Sequence, residues 1–206
     1  MDANAFKKII SQACSNVIAA ESMITQHDSI VGDGDCGITL ARGAHAVLAF
    51  LDSPGLTSDV VNTLLRLTAV IEDSMDGTSG AIYSIFIAAL ASAARQLPQG
   101  PVSPASWVAA GQTALQKLQQ ATPARQGDRT VMDALEPFIK SLVRGAGVGV
   151  AILEASQGVA ATKGMRGTLG RAVYVEESNW QEVPDPGAEG VLCILKAFEG
   201  VSTTAA

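Results

Sequence analysis

Apolar residues recur with the helical period along most of the chain, and short runs of Gly, Pro, Asp and Ser separate the periodic segments. About eight of these segments are long enough for three or more helical turns. They cover approximately residues 4–25, 37–51, 58–75, 79–97, 104–120, 130–144, 148–163 and 186–200. No stretch shows a sustained period of two, so the pattern predicts an all-α fold without a sheet.

The loops rich in glycine and aspartate all precede even-numbered segments. They cover residues 33–37, 76–80, 127–130 and 185–188. If short connections make sequential helices antiparallel, the N-termini of the even helices meet at one end of the molecule. Helix N-termini present unpaired N–H groups and a positive dipole end, which suits a polyphosphate. The alternative is that each loop is an ordinary helix cap followed by an ordinary turn.

Three aspartates, Asp28, Asp33 and Asp35, lie within eight residues of one another. Carboxylates at this spacing repel one another, and a hard cation such as Mg²⁺ would relieve the repulsion. A calcium loop of the EF-hand type is excluded, because its twelfth position would be Thr39 or Ala44 instead of Glu. No Walker-type phosphate loop occurs. The two histidines, His27 and His45, have no identifiable catalytic or zinc-binding partners and are interpreted as local surface or packing residues.

Composition narrows the possible partners and the compartment. The 206 residues fit one domain, and they carry 20 acidic against 14 basic side chains, a net charge of −6. This balance excludes the broad basic surface of a nucleic-acid-binding protein. Three cysteines without paired spacing favour a reducing, cytoplasmic location. No secretory signal is visible, and the most apolar stretch, residues 82–94, is shorter than the ~20 residues of a membrane span, so we expect a soluble protein without a membrane partner.

Five motifs together resemble one family, the nucleotide-binding L domain (DhaL type) of dihydroxyacetone kinases. They are D-S-I-V-G-D-G-D-C-G at 28–37, D-G-T-S-G at 76–80, G-D-R-T-V-M-D-A-L at 127–135, G-R-A-V-Y at 170–174 and D-P-G-A at 185–188. All five occur in the order of the family. Cys36 stands where subunits rephosphorylated by a phosphotransferase partner carry His. In this respect the chain is similar to the C-terminal domain of single-chain ATP-dependent kinases. The chain departs from the family at Asp76, where Gly is usual, and at Val131, where Met is frequent.

The resemblance implies an antiparallel up-and-down barrel of eight helices with ATP or ADP and two Mg²⁺ ions at one end. The implied metal ligands are Asp28, Asp33 and Asp35. The implied nucleotide-binding residues are Cys36, Gly37, Ile38, Thr39, Gly77, Thr78, Ser79, Thr130, Val131, Arg171, Asp185, Pro186 and Gly187.

The resemblance also implies an activity, ATP-dependent glycerone kinase. The acceptor, dihydroxyacetone, would be bound on a separate K domain, for which residues 1–206 leave no room once they form the helical domain. Two alternatives remain open. One is a lyase that splits FAD into a cyclic nucleotide at the same site. The other is a non-catalytic ADP-binding interaction subunit.

Overall fold

The computed structural model describes residues 3–53, 59–97, 102–169, 173, 181 and 183–199. Within these ranges the chain forms eight α-helices and no strand, which confirms the all-α prediction. The helices are α1 (Ala3–Val31), α2 (Cys36–Leu51), α3 (Val60–Ser74), α4 (Gly77–Ala94), α5 (Pro104–Ala121), α6 (Met132–Val143), α7 (Val148–Ala161) and α8 (Pro186–Leu195). A short 3-10 helix, Lys196–Phe198, follows α8.

The helix starts follow the local capping chemistry of the sequence. Asp59 accepts hydrogen bonds from the backbone N–H groups of Val61 and Asn62 at the start of α3. Ser103 caps α5 and is followed by proline in the first turn. Aspartate and serine side chains satisfy N–H groups that have no partner inside the helix, and proline loses nothing there. Predicted and observed helix starts therefore agree to within about three residues.

The end of α1 differs from the prediction. The sequence pattern places the end near Thr25, whereas the helix continues to Val31. No glycine or proline interrupts the chain before Gly32, and intervening polar residues such as Gln26 and Ser29 lie on the exposed face. Asp28 is therefore a buried residue of the last helical turns of α1 and does not belong to the following loop.

The helices contact one another in chain order, and α8 also contacts α1, so the contacts run once around the molecule. One core cluster is formed mainly by α1 to α4 and a second by α5 to α8. Between them lies a cavity of about 900 Å³ whose walls include Leu40 and Leu64 from the first cluster and Leu135 and Phe138 from the second. The family resemblance implies that neighbouring helices run antiparallel and form a barrel. These helix directions stay a prediction.

Among the described helices, Gly77–Ala94 is long and apolar enough to cross a membrane by length and composition. A single helix of this kind is a weak indication, because core helices pass the same test. In this molecule α4 packs against α3 and α5.

Candidate functional site

The three predicted metal ligands lie together. One ligand atom from each of Asp28, Asp33 and Asp35 falls within 4.8 Å of the other two. Asp28 comes from α1 and is 8% exposed, whereas Asp33 and Asp35 are exposed residues of the turn before α2. The cluster therefore opens to solvent on one side and is fixed to the protein interior on the other.

The carboxylate of Asp28 organises the turn that carries the other two aspartates. Its Oδ2 accepts hydrogen bonds from the backbone N–H of Asp35 at 2.9 Å and of Cys36 at 3.0 Å. Asp35, the N-cap residue of α2, makes no side-chain capping bond to its own helix. Asp28 of α1 thus caps the start of α2, and its hydrogen bonds hold the turn between the two helices in place.

The cluster creates a negative local field. Burial raises the pKa of the Cys36 thiol. Neighbouring carboxylates raise this pKa further, and Asp28 makes the largest contribution among them. A divalent cation would reverse this field, and carboxylate oxygens are the donors that hard cations such as Mg²⁺ prefer. The donor set of the three aspartates therefore fits a magnesium site.

Gly37 lets α2 approach α1 closely beside the aspartates. A Cβ at this position would overlap the carbonyl oxygen of Glu21 and the Oγ1 of Thr25, and would lie 2.8 Å from the backbone N of Thr25. Two of these atoms belong to the backbone of α1 and cannot rotate away. A side chain at position 37 would push apart the two helices that carry the aspartates.

We expect Gly37→Ala to lower the free energy of unfolding by roughly 1–3 kcal/mol, the usual effect of overpacking. Chemical denaturation measures the change. The matched control is Gly111→Ala in the middle of α5, where a Cβ meets nothing within 4 Å. Because alanine favours the helix, that control should gain up to about 1 kcal/mol. A Gly37→Ala protein as stable as this control would contradict the close packing.

The motif before α6 is held by two buried carboxylates of the helix itself. Asp133 accepts hydrogen bonds from the backbone N–H of Gly127 at 2.6 Å and of Thr130 at 2.8 Å. Glu136 accepts one from the backbone N–H of Gln126 at 3.0 Å. These bonds fix residues 126–130 as a rigid loop, with the predicted nucleotide contact Thr130 at its end.

Arg129 ties this loop to the start of α8. It is 2% exposed, and its guanidinium donates to the carbonyl oxygen of Thr162 and, at 2.9 Å, to that of Val183. Its backbone φ is +56°, a left-handed conformation that is uncommon outside glycine. The surrounding contacts therefore hold Arg129 against a local backbone preference. The sequence contains Arg129 inside a motif, but nothing local shows that it is buried.

Asp185 caps α8 and lies beside Arg129. Its Oδ1 accepts a hydrogen bond from the backbone N–H of Ala188 at 2.7 Å, and its own N–H donates to the Oγ1 of Thr162 at 2.8 Å. Burial raises the pKa of Asp185 from an ordinary 3.8 to about 7, against the lowering effects of the Ala188 hydrogen bond and the Arg129 charge. The start of α8 thus adds a further carboxylate close enough to Asp28 for the two charges to interact.

This pKa shift predicts a pH dependence of stability. An acid whose pKa is higher in the folded state stabilises the fold at pH below about 4, and the contribution is lost as the pH rises to about 7. The difference in unfolding free energy between wild type and Asp185→Asn, without metal, should fall across this window by at most about 1.4 kcal/mol per pH unit.

Denaturation at a series of pH values in chelator measures this difference. Asparagine caps helices as well as aspartate does, so the substitution preserves the cap. Asp59→Asn at the exposed N-cap of α3 is the matched control for the substitution itself. A difference for Asp185→Asn that is constant from pH 4 to pH 7 would contradict the raised pKa.

The start of α8 packs on the start of α6. A Cβ on Gly187 would lie 3.1 Å from the Cγ1 of Val131, and Pro186 is buried. Val131 is itself 8% exposed and belongs to the second core cluster. The structure therefore brings these predicted nucleotide-binding segments together, while the contact of Val131 with the nucleotide stays a prediction.

The remaining predicted residues differ in exposure. In the first turn of α2, Gly37 and Thr39 are buried, Cys36 is half-buried and Ile38 is 50% exposed. Gly77, Thr78 and Ser79 belong to the first turn of α4, which begins two residues earlier than the sequence pattern indicates. Arg171 lies outside the described residues.

His27 makes a contact that sequence reasoning missed. Its Nδ1 lies 2.6 Å from Oε2 of Glu189, which connects α1 to α8 next to Asp28. Burial raises the pKa of Glu189, and the contact with His27 lowers it. His45 is exposed, which agrees with its interpretation as a surface residue.

Several known proteins are similar to this chain. It is 39% identical to a dihydroxyacetone kinase of Pichia angusta over 93% of its own length and 34% of that protein. It is 31% identical to the triokinase/FMN cyclase of Mus musculus over 95% of its length and 34% of that protein. The chain thus spans about a third of the length of these curated relatives.

The fold is similar to solved structures of the dihydroxyacetone kinase of C. freundii. The native form matches with a TM-score of 0.77 and 25% identity over 93% of this chain and 33% of the other. The form in complex with AMP-PNP and Mg²⁺ matches with a TM-score of 0.74 and 24% identity, with the same coverage. The sequence profile of the DAK2 domain matches residues 30–200, which include Asp33, Asp35 and the starts of α2, α4, α6 and α8. The chain belongs to the DAK2 domain family.

Proposed function

We propose that this chain is the ATP- and Mg²⁺-binding unit of a dihydroxyacetone kinase. The observation that carries the proposal is the convergence of Asp28, Asp33 and Asp35 within 4.8 Å, next to the start of α2. Membership of the DAK2 domain family and the name of the Pichia angusta relative support it.

The proposed metal ligands are Asp28, Asp33 and Asp35, and they would hold two Mg²⁺ ions. When bound, the ions supply positive charge that neutralises the phosphate oxygens of the nucleotide. The exposure of Asp33 and Asp35 leaves the cluster open to a phosphate from solvent. Asp28 fixes the geometry through its bonds to the backbone of Asp35 and Cys36.

The proposed nucleotide-binding residues are Cys36, Gly37, Ile38, Thr39, Gly77, Thr78, Ser79, Thr130, Val131, Arg171, Asp185, Pro186 and Gly187. The N–H groups at the starts of α2 and α4 would orient the phosphates, because helix N-termini favour anions. The half-exposed side chain of Ile38 offers an apolar surface for the base. In phosphoryl transfer, positioning and electrostatic stabilisation account for most of the catalysis, and these groups supply both.

Dihydroxyacetone would bind to a separate K domain, in the same polypeptide or in another. The chain spans only about a third of the length of its curated relatives. This coverage supports the proposal that ATP and dihydroxyacetone bind to different domains. The test is to mix this chain with a K domain, ATP and Mg²⁺ and to measure dihydroxyacetone phosphate. We expect product only when both proteins are present. Binding of Mg²⁺-ATP without phosphoryl transfer to dihydroxyacetone, whichever K domain is added, would contradict the kinase assignment.

A second activity, the splitting of FAD into cyclic FMN, is the alternative to the kinase, and the name of the mouse relative, triokinase/FMN cyclase, is consistent with it. This activity needs no triose acceptor and would use the same carboxylates. Incubation of the chain with FAD and a divalent cation, followed by chromatography, distinguishes the two. Cyclic FMN from the isolated chain would favour the lyase, and its absence together with triose phosphorylation would favour the kinase. Binding of ADP without either activity would favour an interaction subunit.

A further inference from the structure

Asp76 and Asp59 are both N-cap residues, at the starts of α4 and α3, but their side chains make different contacts. Asp76 precedes Gly77, Thr78 and Ser79, yet its side chain makes no capping hydrogen bond to α4. Asp59 does the opposite at α3, where its Oδ1 accepts from the backbone N–H groups of the second and third helical residues. At α4 the equivalent N–H groups belong to Thr78 and Ser79, the two residues that the proposed function assigns to phosphate.

The carboxylate of Asp76 instead accepts a hydrogen bond from Arg42 of α2. The Nη2 of Arg42 lies 2.6 Å from Oδ2 of Asp76, and the Nε of the same guanidinium donates at 2.7 Å to the carbonyl oxygen of Ser74. One planar side chain thus spans the last turn of α3 and the first residue before α4. The neighbouring Gly43 fits against the Sδ and Cγ of Met75, which brings α2 close to the same junction.

We propose that Arg42 is a positioning residue of the phosphate site, which keeps Asp76 away from the N–H groups of Thr78 and Ser79. Without the guanidinium, an N-cap aspartate accepts hydrogen bonds from these N–H groups, because this is the favoured position for its side chain. The carboxylate would then occupy the place of an incoming phosphate oxygen and repel it. The inference rests on the proposed nucleotide site and assigns a residue to it that the family motifs do not include.

The contact between Arg42 and Asp76 should contribute little to the stability of the fold. Both partners are largely exposed, 49% for the Arg42 side chain and 88% for that of Asp76. Exposed ion pairs contribute little to the stability of a fold. The effect of Arg42 should therefore be small on unfolding and larger on the binding of phosphate.

A double-mutant cycle tests the inference. Affinities for Mg²⁺-ATP are measured by calorimetry for wild type, Arg42→Gln, Asp76→Gly and the double variant. We expect Arg42→Gln to weaken binding about fivefold, the value of one N-cap interaction, and to have no further effect once Asp76→Gly has removed the competing carboxylate. Arg144→Gln, which breaks the exposed pair with Glu154, is the matched control. Equal loss in both backgrounds, or no loss at all, would overturn the inference.

A second readout does not depend on the nucleotide. Amide hydrogen exchange of Thr78 and Ser79 is measured by NMR in the protein without ligand. Arg42→Gln should slow the exchange, because Asp76 then accepts from these amides, and the double variant should return to the wild-type rate. Unchanged exchange in Arg42→Gln overturns the inference. If exchange slows as expected but wild type binds no Mg²⁺-ATP, the proposed function fails instead.

Discussion

Replacing both Asp33 and Asp35 by asparagine should strongly weaken the Mg²⁺-dependent binding of ATP. Asparagine keeps the size of the side chains but removes two of the three charges that lie within 4.8 Å of one another. The attraction between a carboxylate and a divalent cation at a partly exposed site is several kcal/mol, so we expect the affinity to fall by roughly 100-fold or more. Calorimetry with and without Mg²⁺ measures the change.

The fold should survive this double substitution. Asp33 and Asp35 are exposed, and the removal of like charges relieves repulsion, so the unliganded variant should melt no lower than wild type. Asp73→Asn, an exposed aspartate of α3, controls for the loss of charge. If the Asp33/Asp35 variant binds Mg²⁺-ATP as tightly as the Asp73→Asn protein, the three carboxylates are not the metal site.

The second large effect should come from Arg129→Met. The guanidinium is almost fully buried, donates to the carbonyl oxygens of Thr162 and Val183, and lies beside Asp185. Its loss would leave two buried carbonyls without this donor. A buried acceptor left without a partner costs about 1–3 kcal/mol, so we expect the free energy of unfolding to fall by roughly 2–5 kcal/mol.

Denaturant unfolding of the variant measures this loss. Arg95→Met at the exposed end of α4 is the matched control and should change stability by less than about 0.5 kcal/mol. An Arg129→Met protein as stable as the control would show that the buried guanidinium does not hold α7 and α8 to the loop before α6.

The helices and the carboxylate cluster could be predicted from the sequence because their signals are local. Helical periodicity, Ser103 before Pro104 and Asp185 before Pro186 place helix starts without knowledge of the packing. The aspartates at 28, 33 and 35 are close in sequence and cannot be far apart in space. A prediction that depends on neighbouring residues alone is reliable for such features.

The end of α1 shows the limit of local signals. The prediction of an end near Thr25 was wrong, because the apolar stripe fades there while the backbone continues as a helix to Val31. The continuation moves Asp28 from a loop into a buried helical position. From there its carboxylate reaches the start of α2, which no local pattern indicates.

The contacts that position the site join residues distant in sequence. Arg129 reaches Val183, His27 reaches Glu189, and Arg42 reaches Asp76. Each pair forms only because helices from different parts of the chain pack against one another. A single sequence marks Arg129 as part of a motif and Asp76 as a departure from one, but it does not show their partners.

The most direct test is calorimetric titration of the wild-type chain with ATP, first with Mg²⁺ and then with excess chelator. Three convergent carboxylates at the N-terminus of α2 predict saturable binding of one nucleotide per chain that requires the metal. Binding that is absent with Mg²⁺, or equally tight in chelator, would contradict the assignment of this end of the molecule as a metal-nucleotide site.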